Sequence, residues 1–284
     1  MYFYHGHASA LGGTLVRPFQ KTMEPQAAVS LPITGGSGVS RVENYSFEGL
    51  ISFKMAQADV GGGIEKEKGD HVHSTRISVV IEGLNILNMV TADRIVARLA
   101  CEHDTNIPGT PITETEPNII TTGSHFDGLK IAGHAVDVIT DHQTFCDFDT
   151  YGKCQTAFGD VKGRKRLLDS LIGSQLKAKG MEPTPQSPQH LKDVHQGFID
   201  QSASKDLRRT MICSFVTDIK GLDGPEIKSC GPIVVIPQFG TLYLGELMIT
   251  HGMRRVTMLR VELGSPDGGS FGAGTGTGNG TGYP

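Results

Sequence analysis

Apolar and polar residues alternate with a period of two over much of the chain, and β-branched residues are concentrated in the same stretches. This pattern predicts strands near 12–18, 43–58, 71–82, 93–103, 119–126, 129–140, 209–219, 232–237, 241–250 and 253–263. Within the last of these, Val256, Met258, Arg260 and Glu262 alternate with Thr257, Leu259, Val261 and Leu263. Apolar residues on both faces mark it as a central strand. Between 161 and 208 the period changes. Leu167, Leu168, Leu171, Ile172 and Leu176 recur at helical spacing, and Gly180 and Pro183 stop the run. Ser187-Pro188 then opens a second stripe of Leu191, Val194, Phe198 and Ile199. The expectation is a mainly β fold, a sandwich-like or irregular multi-stranded domain, with an inserted helical hairpin. Its β-rich core is 1–160 and 209–266, its insert 161–208, and its C-terminal tail 267–284.

The tail has its own pattern. Gly272, Gly274, Gly276, Gly278, Gly280 and Gly282 occupy every second position, separated by Ala273, Thr275, Thr277, Asn279 and Thr281, with Tyr283 next. In an extended chain this makes one bald face and one small, polar face. A bald face admits close approach of another backbone or sheet. The segment is either a flexible linker or a strand that docks on its own fold or on a neighbour, and the strict alternation favours the strand.

A short motif recurs as Phe47-Glu48-Gly49-Leu50, Ile81-Glu82-Gly83-Leu84 and Phe126-Asp127-Gly128-Leu129, with a scrambled relative at Leu244-Gly245-Glu246-Leu247. An acid–Gly pair inside a β run predicts a bulge or tight bend, where glycine accepts positive φ. The spacing is too uneven for a solenoid.

Two of these copies sit in longer matches. Val80-Ile81-Glu82-Gly83-Leu84-Asn85-Ile86-Leu87-Asn88-Met89-Val90-Thr91-Ala92-Asp93 resembles the GLN-(I/V)-L…VTAD core of secreted bacterial β modules of the choice-of-anchor type. Phe126 to Val138 is similar to their second unit, a GL-x-I-x-G-x-x-V-x-V run, and Leu259 to Pro266 to their final strand. The resemblance covers about half of the chain; the helical insert and the absence of a signal peptide depart from it. It implies a β-rich structural module at a cell surface or outside the cell, with no assigned reaction.

Composition narrows the classes. The chain has 284 residues, enough for one large core with an insert. Thirty-seven glycines and no tryptophan fit a β-dominated domain. A formal charge of −4 gives no global attraction to nucleic acid or anionic membrane. The one basic cluster, Lys162-Gly163-Arg164-Lys165-Arg166, lacks interleaved aromatics. No apolar run is long enough to span a bilayer as a helix. The N-terminus has neither a basic region nor an uninterrupted apolar one, so it does not read as a secretory signal. An extracellular or surface location therefore calls for a leaderless route or a processed chain, and a cytosolic one stays open. Cys146 with Cys154, and Cys213 with Cys230, are spaced for two disulfides that leave Cys101 alone; buried free thiols are the equal alternative.

Candidate chemistry is sparse. His71 and His73 lie on one face of an extended segment, as do His5 and His7, close enough to share a divalent metal. Asp70, Glu102, His103 and His125 are candidate further ligands. Asp147-Phe148-Asp149-Thr150-Tyr151-Gly152 reads as half a calcium loop, to which Asp137 and Asp141 can add carboxylates; the closing glutamate is absent. Ser174-Gln175-Leu176-Lys177 matches S-x-x-K without its companion motifs. No P-loop, H-E-x-x-H, C-x-x-C or G-x-S-x-G occurs.

The function expected from these features is structural: a self-assembling subunit of a surface layer or extracellular filament. Its tail strand, carrying Gly272 to Gly282 and Tyr283, would add to a neighbour's sheet to give a homo-oligomer or polymer. The alternatives are a module binding carbohydrate or another extended ligand, and a metal-dependent enzyme using His71 and His73. An aromatic fraction of 6% weighs against the former.

Overall fold

The alternating stretches fold as antiparallel strands. A computed structural model describes residues 2–17, 19–67, 70–104, 116–118, 120–160, 162–163, 167, 210–222, 227–264 and 268–282. In chain order its first strands are β1 (Tyr2–Arg17), β2 (Lys21–Gln26), β3 (Val29–Ser30), β4 (Gly36–Phe47), β5 (Ile51–Glu67), β6 (Asp70–Ile86) and β7 (Val90–Asp104). Short strands follow: β8 (His125–Asp127), β9 (Lys130–Ile131), β10 (His134–Ala135) and β11 (Asp137–Thr140). Helices α1 (Gln143–Asp147) and α2 (Tyr151–Gly159) come next. The chain ends with β12 (Thr210–Ser214), β13 (Val216–Lys220), β14 (Lys228–Cys230), β15 (Ile233–Ile236), β16 (Gly240–Thr250), β17 (Arg254–Leu263) and β18 (Gly268–Gly282).

Among the described residues a nine-stranded sheet runs β14-β15-β16-β17-β18-β1-β2, with β12 also on β16 and β3 also on β1. A seven-stranded sheet runs β10-β9-β7-β6-β5-β4, with β8 also on β7, and β11 pairs β13 in a small ribbon. Strands β1, β17 and β18 of the first sheet lie over β5, β6 and β7 of the second, which makes a sandwich. The mainly β, sandwich-like expectation therefore holds. The predicted helical hairpin lies outside the described residues, apart from helical Lys162, Gly163 and a buried Leu167. The stretch read as one strand over 43–58 is a hairpin, because Glu48 and Gly49 take φ of 53° and 69° and turn the chain.

The tail is no appendage. As β18 it pairs along its length with β1 on one edge and with β17 on the other. Its bald face meets the opposite sheet: a Cβ on Gly276 would stand 2.7 Å from Ile77 Cγ2, and one on Gly278 would stand 3.2 Å from Cys101 Sγ. Glycine there is a packing requirement, and the strand completes its own chain's sheet.

A second device crosses both sheets. In the seven-stranded sheet Asn44, Gly83 and Gly128 take φ of 52°, 65° and 58°. They lie on one row across β4 to β8, opposite Lys54 and Asp93, which are in regular conformation. In the nine-stranded sheet Gly245, Gly274 and Ala27 form the equivalent row, opposite Met258 and Ala10. Three of the four acid–Gly motifs supply these kinks, and the first makes the β4–β5 turn. The buried set changes parity at the row in each long strand. It passes from Phe53 to Ala56 in β5, from Ile81 to Leu84 in β6, from Ala92 to Ile95 in β7 and from Met258 to Leu259 in β17. Each sheet thus buries one face on one side of its row and the other face beyond it. This is why β17 reads as apolar on both faces, and it is central, between β16 and β18.

Gly276→Val is expected to destabilise the protein by about 1–3 kcal/mol in urea unfolding through overpacking against Ile77. Adding Ile77→Ala to that variant should recover part of the loss. A chain ending at Gly264 should lose cooperative unfolding, since it removes a strand bonded on both edges.

Candidate functional site

A cluster of titratable side chains closes one end of the sandwich. Alternation places Tyr2 and Tyr4 of β1, His73 of β6, and Cys101 and His103 of β7 on inward-facing positions at strand ends, with His73 directly opposite His103. The Tyr2 ring stacks on His73 at 4.0 Å between centroids and 6° between planes. It meets His103 edge-on at 5.6 Å. Tyr4 Oη is hydrogen-bonded to His73 Nδ1 at 2.6 Å. The tail makes room for this cluster, because a Cβ on Gly280 would collide with the Tyr2 hydroxyl.

Arg254 lies beneath the cluster with no exposed surface. Its guanidinium donates to the carbonyls of Thr250, His251 (3.2 Å) and Pro117 (2.8 Å), so backbone dipoles solvate its charge. Burial sets the protonation of its neighbours. The Cys101 thiol is pushed up to about 12, and the phenols of Tyr2 and Tyr4 are raised as well. His103 is lowered to about 4, first by burial and then by the charge of Arg254. At neutral pH the thiol, the phenols and this imidazole are uncharged. The group closes and orders the end of the sandwich, and it holds no thiolate nucleophile.

The expected metal pair is only partly visible. His73 is engaged by Tyr2 and Tyr4 as above. His71 is placed in β6 opposite Lys66. Among the described residues no three His, Cys, Asp or Glu side chains gather to hold a metal ion. His5 is exposed, and His7 Nδ1 is hydrogen-bonded to Ser30 Oγ at 3.0 Å. The acids of the half calcium loop work as helix caps and local partners. Asp141 accepts from Thr144 N and Oγ1 at the start of α1, Asp147 accepts from Gln143 Nε2, and Asp149 pairs with Lys153. Thr150 caps α2. Those capping residues, followed by a short buried stripe of Tyr151, Cys154 and Phe158, are the signal by which both helices are legible and which period-2 reading overlooks.

Of the two readings of the cysteines, the free thiols hold: all five are unpaired, and four of them are buried. Cys146 is exposed at the end of α1, whereas Cys154 is buried and donates to Phe148 O. Cys213 donates to Leu247 O, and Cys230 is buried in β14. Ser174, Lys177, Arg164, Lys165, Arg166 and Tyr283 lie outside the described residues.

The second candidate is a groove of about 410 Å³ on the outer face of the seven-stranded sheet. Val39 of β4, Asp59 of β5, Arg76 of β6, Arg98 of β7 and Ile120 line it. Arg76 pairs with Glu65 at 2.6 Å, and Gln57 Nε2 donates to Asp59. Residues near it drew no attention in the sequence, because an outward-facing polar row looks like any solvated strand face. The β4 rim of this groove is also a sheet edge. Over its 12 residues β4 pairs with β5 alone, and no other described strand pairs with its second backbone edge.

A family model described as a domain of unknown function (DUF8256) matches residues 2–250. The chain belongs to this family. The match takes in the seven-stranded sheet and the inward-facing Tyr2, Tyr4, His73 and His103, and it stops at the end of β16, before β17 and β18 of the nine-stranded sheet. No curated protein matches the chain. No solved structure matches it either.

Stability should fall as pH drops. His103 binds a proton in the unfolded chain near its ordinary 6.5 but resists it in the fold until about 4. The unfolded state therefore holds more protons in that window, and stability declines from pH 6.5 down to about 4. Urea unfolding of the wild type across this range should show a steeper acid loss than that of His103→Gln.

Proposed function

We propose that this protein is a structural building block that works by associating with copies of itself through an open sheet edge. The observation carrying this reading is β4: a long strand with one backbone edge unpartnered among the described residues, bearing Val39 at 64% exposure. Open edges are templates for further strands, and proteins that stay monomeric usually blunt them. The expected route through the tail needs revision. With both of its edges bonded within the chain, β18 is available to a neighbour only by exchange of the whole strand between subunits. The similarity to choice-of-anchor modules supports a structural role at a surface or outside the cell.

A second reading has one specific observation behind it. The groove beside β4 places Arg76 and Arg98 beside one acid, Asp59, on a lining that is otherwise apolar or small, a setting that suits an extended ligand carrying negative charge. The edge reading is preferred because Arg76 is already paired with Glu65.

Sedimentation velocity over about a hundredfold range of concentration tests the proposal, since association through an edge follows mass action. The wild type is expected to shift toward larger species as concentration rises. Val39→Lys, which places a charge on the edge, should weaken that shift while leaving the circular dichroism spectrum unchanged. A wild type that stays monomeric across the range would sink the structural-assembly reading.

A further inference from the structure

Resting on that reading, we infer that the partner on β4 is the β4 strand of a second copy, paired antiparallel about a two-fold axis at Val42. A two-fold perpendicular to the sheet keeps outward side chains outward, so the axis must pass through a residue. Three centres lie in the middle of the strand. An axis at Arg41 sets that arginine against its own copy, and an axis at Glu43 does the same to the glutamate. Like charges directly opposite destabilise a pair.

An axis at Val42 removes both conflicts. Arg41 then faces Glu43 of the other copy, twice over. Arg41 and Glu43 already lie side by side on the outer face, where they pair at 2.6 Å. Both are exposed. The same axis sets Asn44, with φ of 52°, against Ser40 in regular conformation. That matches the rule inside the sheet, where Asn44 faces regular Lys54 and Gly83 faces regular Asp93. A one-residue slip would turn every side chain to the wrong face. The contact is isologous, so this edge closes a dimer, and growth into a polymer requires another surface.

Mixing separates this register from others. Arg41→Glu alone sets two glutamates against two glutamates, and Glu43→Arg alone sets arginine against arginine; each should weaken association about tenfold. In an equimolar mixture of the two variants every cross-strand pair is again of opposite charge, so association should return to near the wild-type level. The charges within each variant chain stay unfavourable in the mixture, so recovery reports the contact between chains. A cross-link gives an independent readout in a Cys146→Ser background, which removes the exposed thiol. Residues facing across the axis have Cα atoms about 4.5–5.5 Å apart, inside the range of a disulfide. Val42→Cys should therefore give a covalent dimer on mild oxidation, and Ser40→Cys should not. No recovery on mixing, or equal cross-linking at both positions, would overturn the β4 pairing while leaving self-association through another edge standing. A monomeric wild type would overturn both.

Discussion

Because β18 presents only hydrogen atoms to the opposite sheet at Gly276 and Gly278, the side chains of Ile77, Leu99 and Cys101 lie directly on its backbone. Close-packed cores tolerate little change in volume, so this approach fixes the gap between the sheets along the middle of the sandwich. It also explains a strand with so few side chains at the centre of a sheet. Its stability comes from backbone bonds on both edges and from apolar groups that its neighbours supply. Phe271 anchors the other end of the strand by lying over Gly13 of β1, directly across the ladder.

The kink rows solve the problem that such close packing creates. Two long sheets that kept one face inward throughout would have to stay in contact from end to end, although twisted sheets diverge. By changing the buried parity midway, each sheet uses both faces. Glycine carries most of the kinks because its neighbours leave no alternative. A Cβ on Gly83 would stand 2.7 Å from Lys54 Cγ, and one on Gly128 would run into the Asp93 carboxylate. Beyond the closed middle the inward positions widen enough for rings, and there Tyr2, Tyr4, His73 and His103 fill the space.

Much of this was legible in the sequence, for reasons that differ from element to element. The alternating runs 71–82 and 93–103 announced β6 and β7, since a half-buried strand must alternate. The tail announced an extended conformation and a bald face, but not its place. Whether such a face docks in its own chain depends on Ile77 and Tyr2, hundreds of positions away in pairing terms and invisible to a local pattern. The acid–Gly motifs announced bends, yet three of them turn a strand's face and one reverses the chain, a distinction set by what pairs on either side. The histidine pair His71 and His73 read, by periodicity alone, as two imidazoles on one face of a strand, not as part of a closed sandwich end. That its imidazole would be taken up by two tyrosines could not be read, because β1 starts with residues whose pattern is obscured by His5, Gly6 and His7.

The distribution of polar groups carries the argument from fold to function. At the closed end of the sandwich Cys101 and His103 are held uncharged by burial and Arg254 is solvated by carbonyls, so these groups serve the packing of that end. Outside, the strand with most unspent bonding capacity is β4, whose charged pair and apolar flanks stand on an edge that no other part of the described chain covers. A backbone edge in water is satisfied by solvent and costs little, which is why it can persist in an isolated subunit. It gains from another strand only when side chains on both faces agree with the register. On β4 the order Arg41, Val42, Glu43 is complementary to itself when reversed. A strand selected only for solubility would have no reason to match its own reverse, and that self-complementarity is the ground for proposing a second copy of the chain as the partner of this edge.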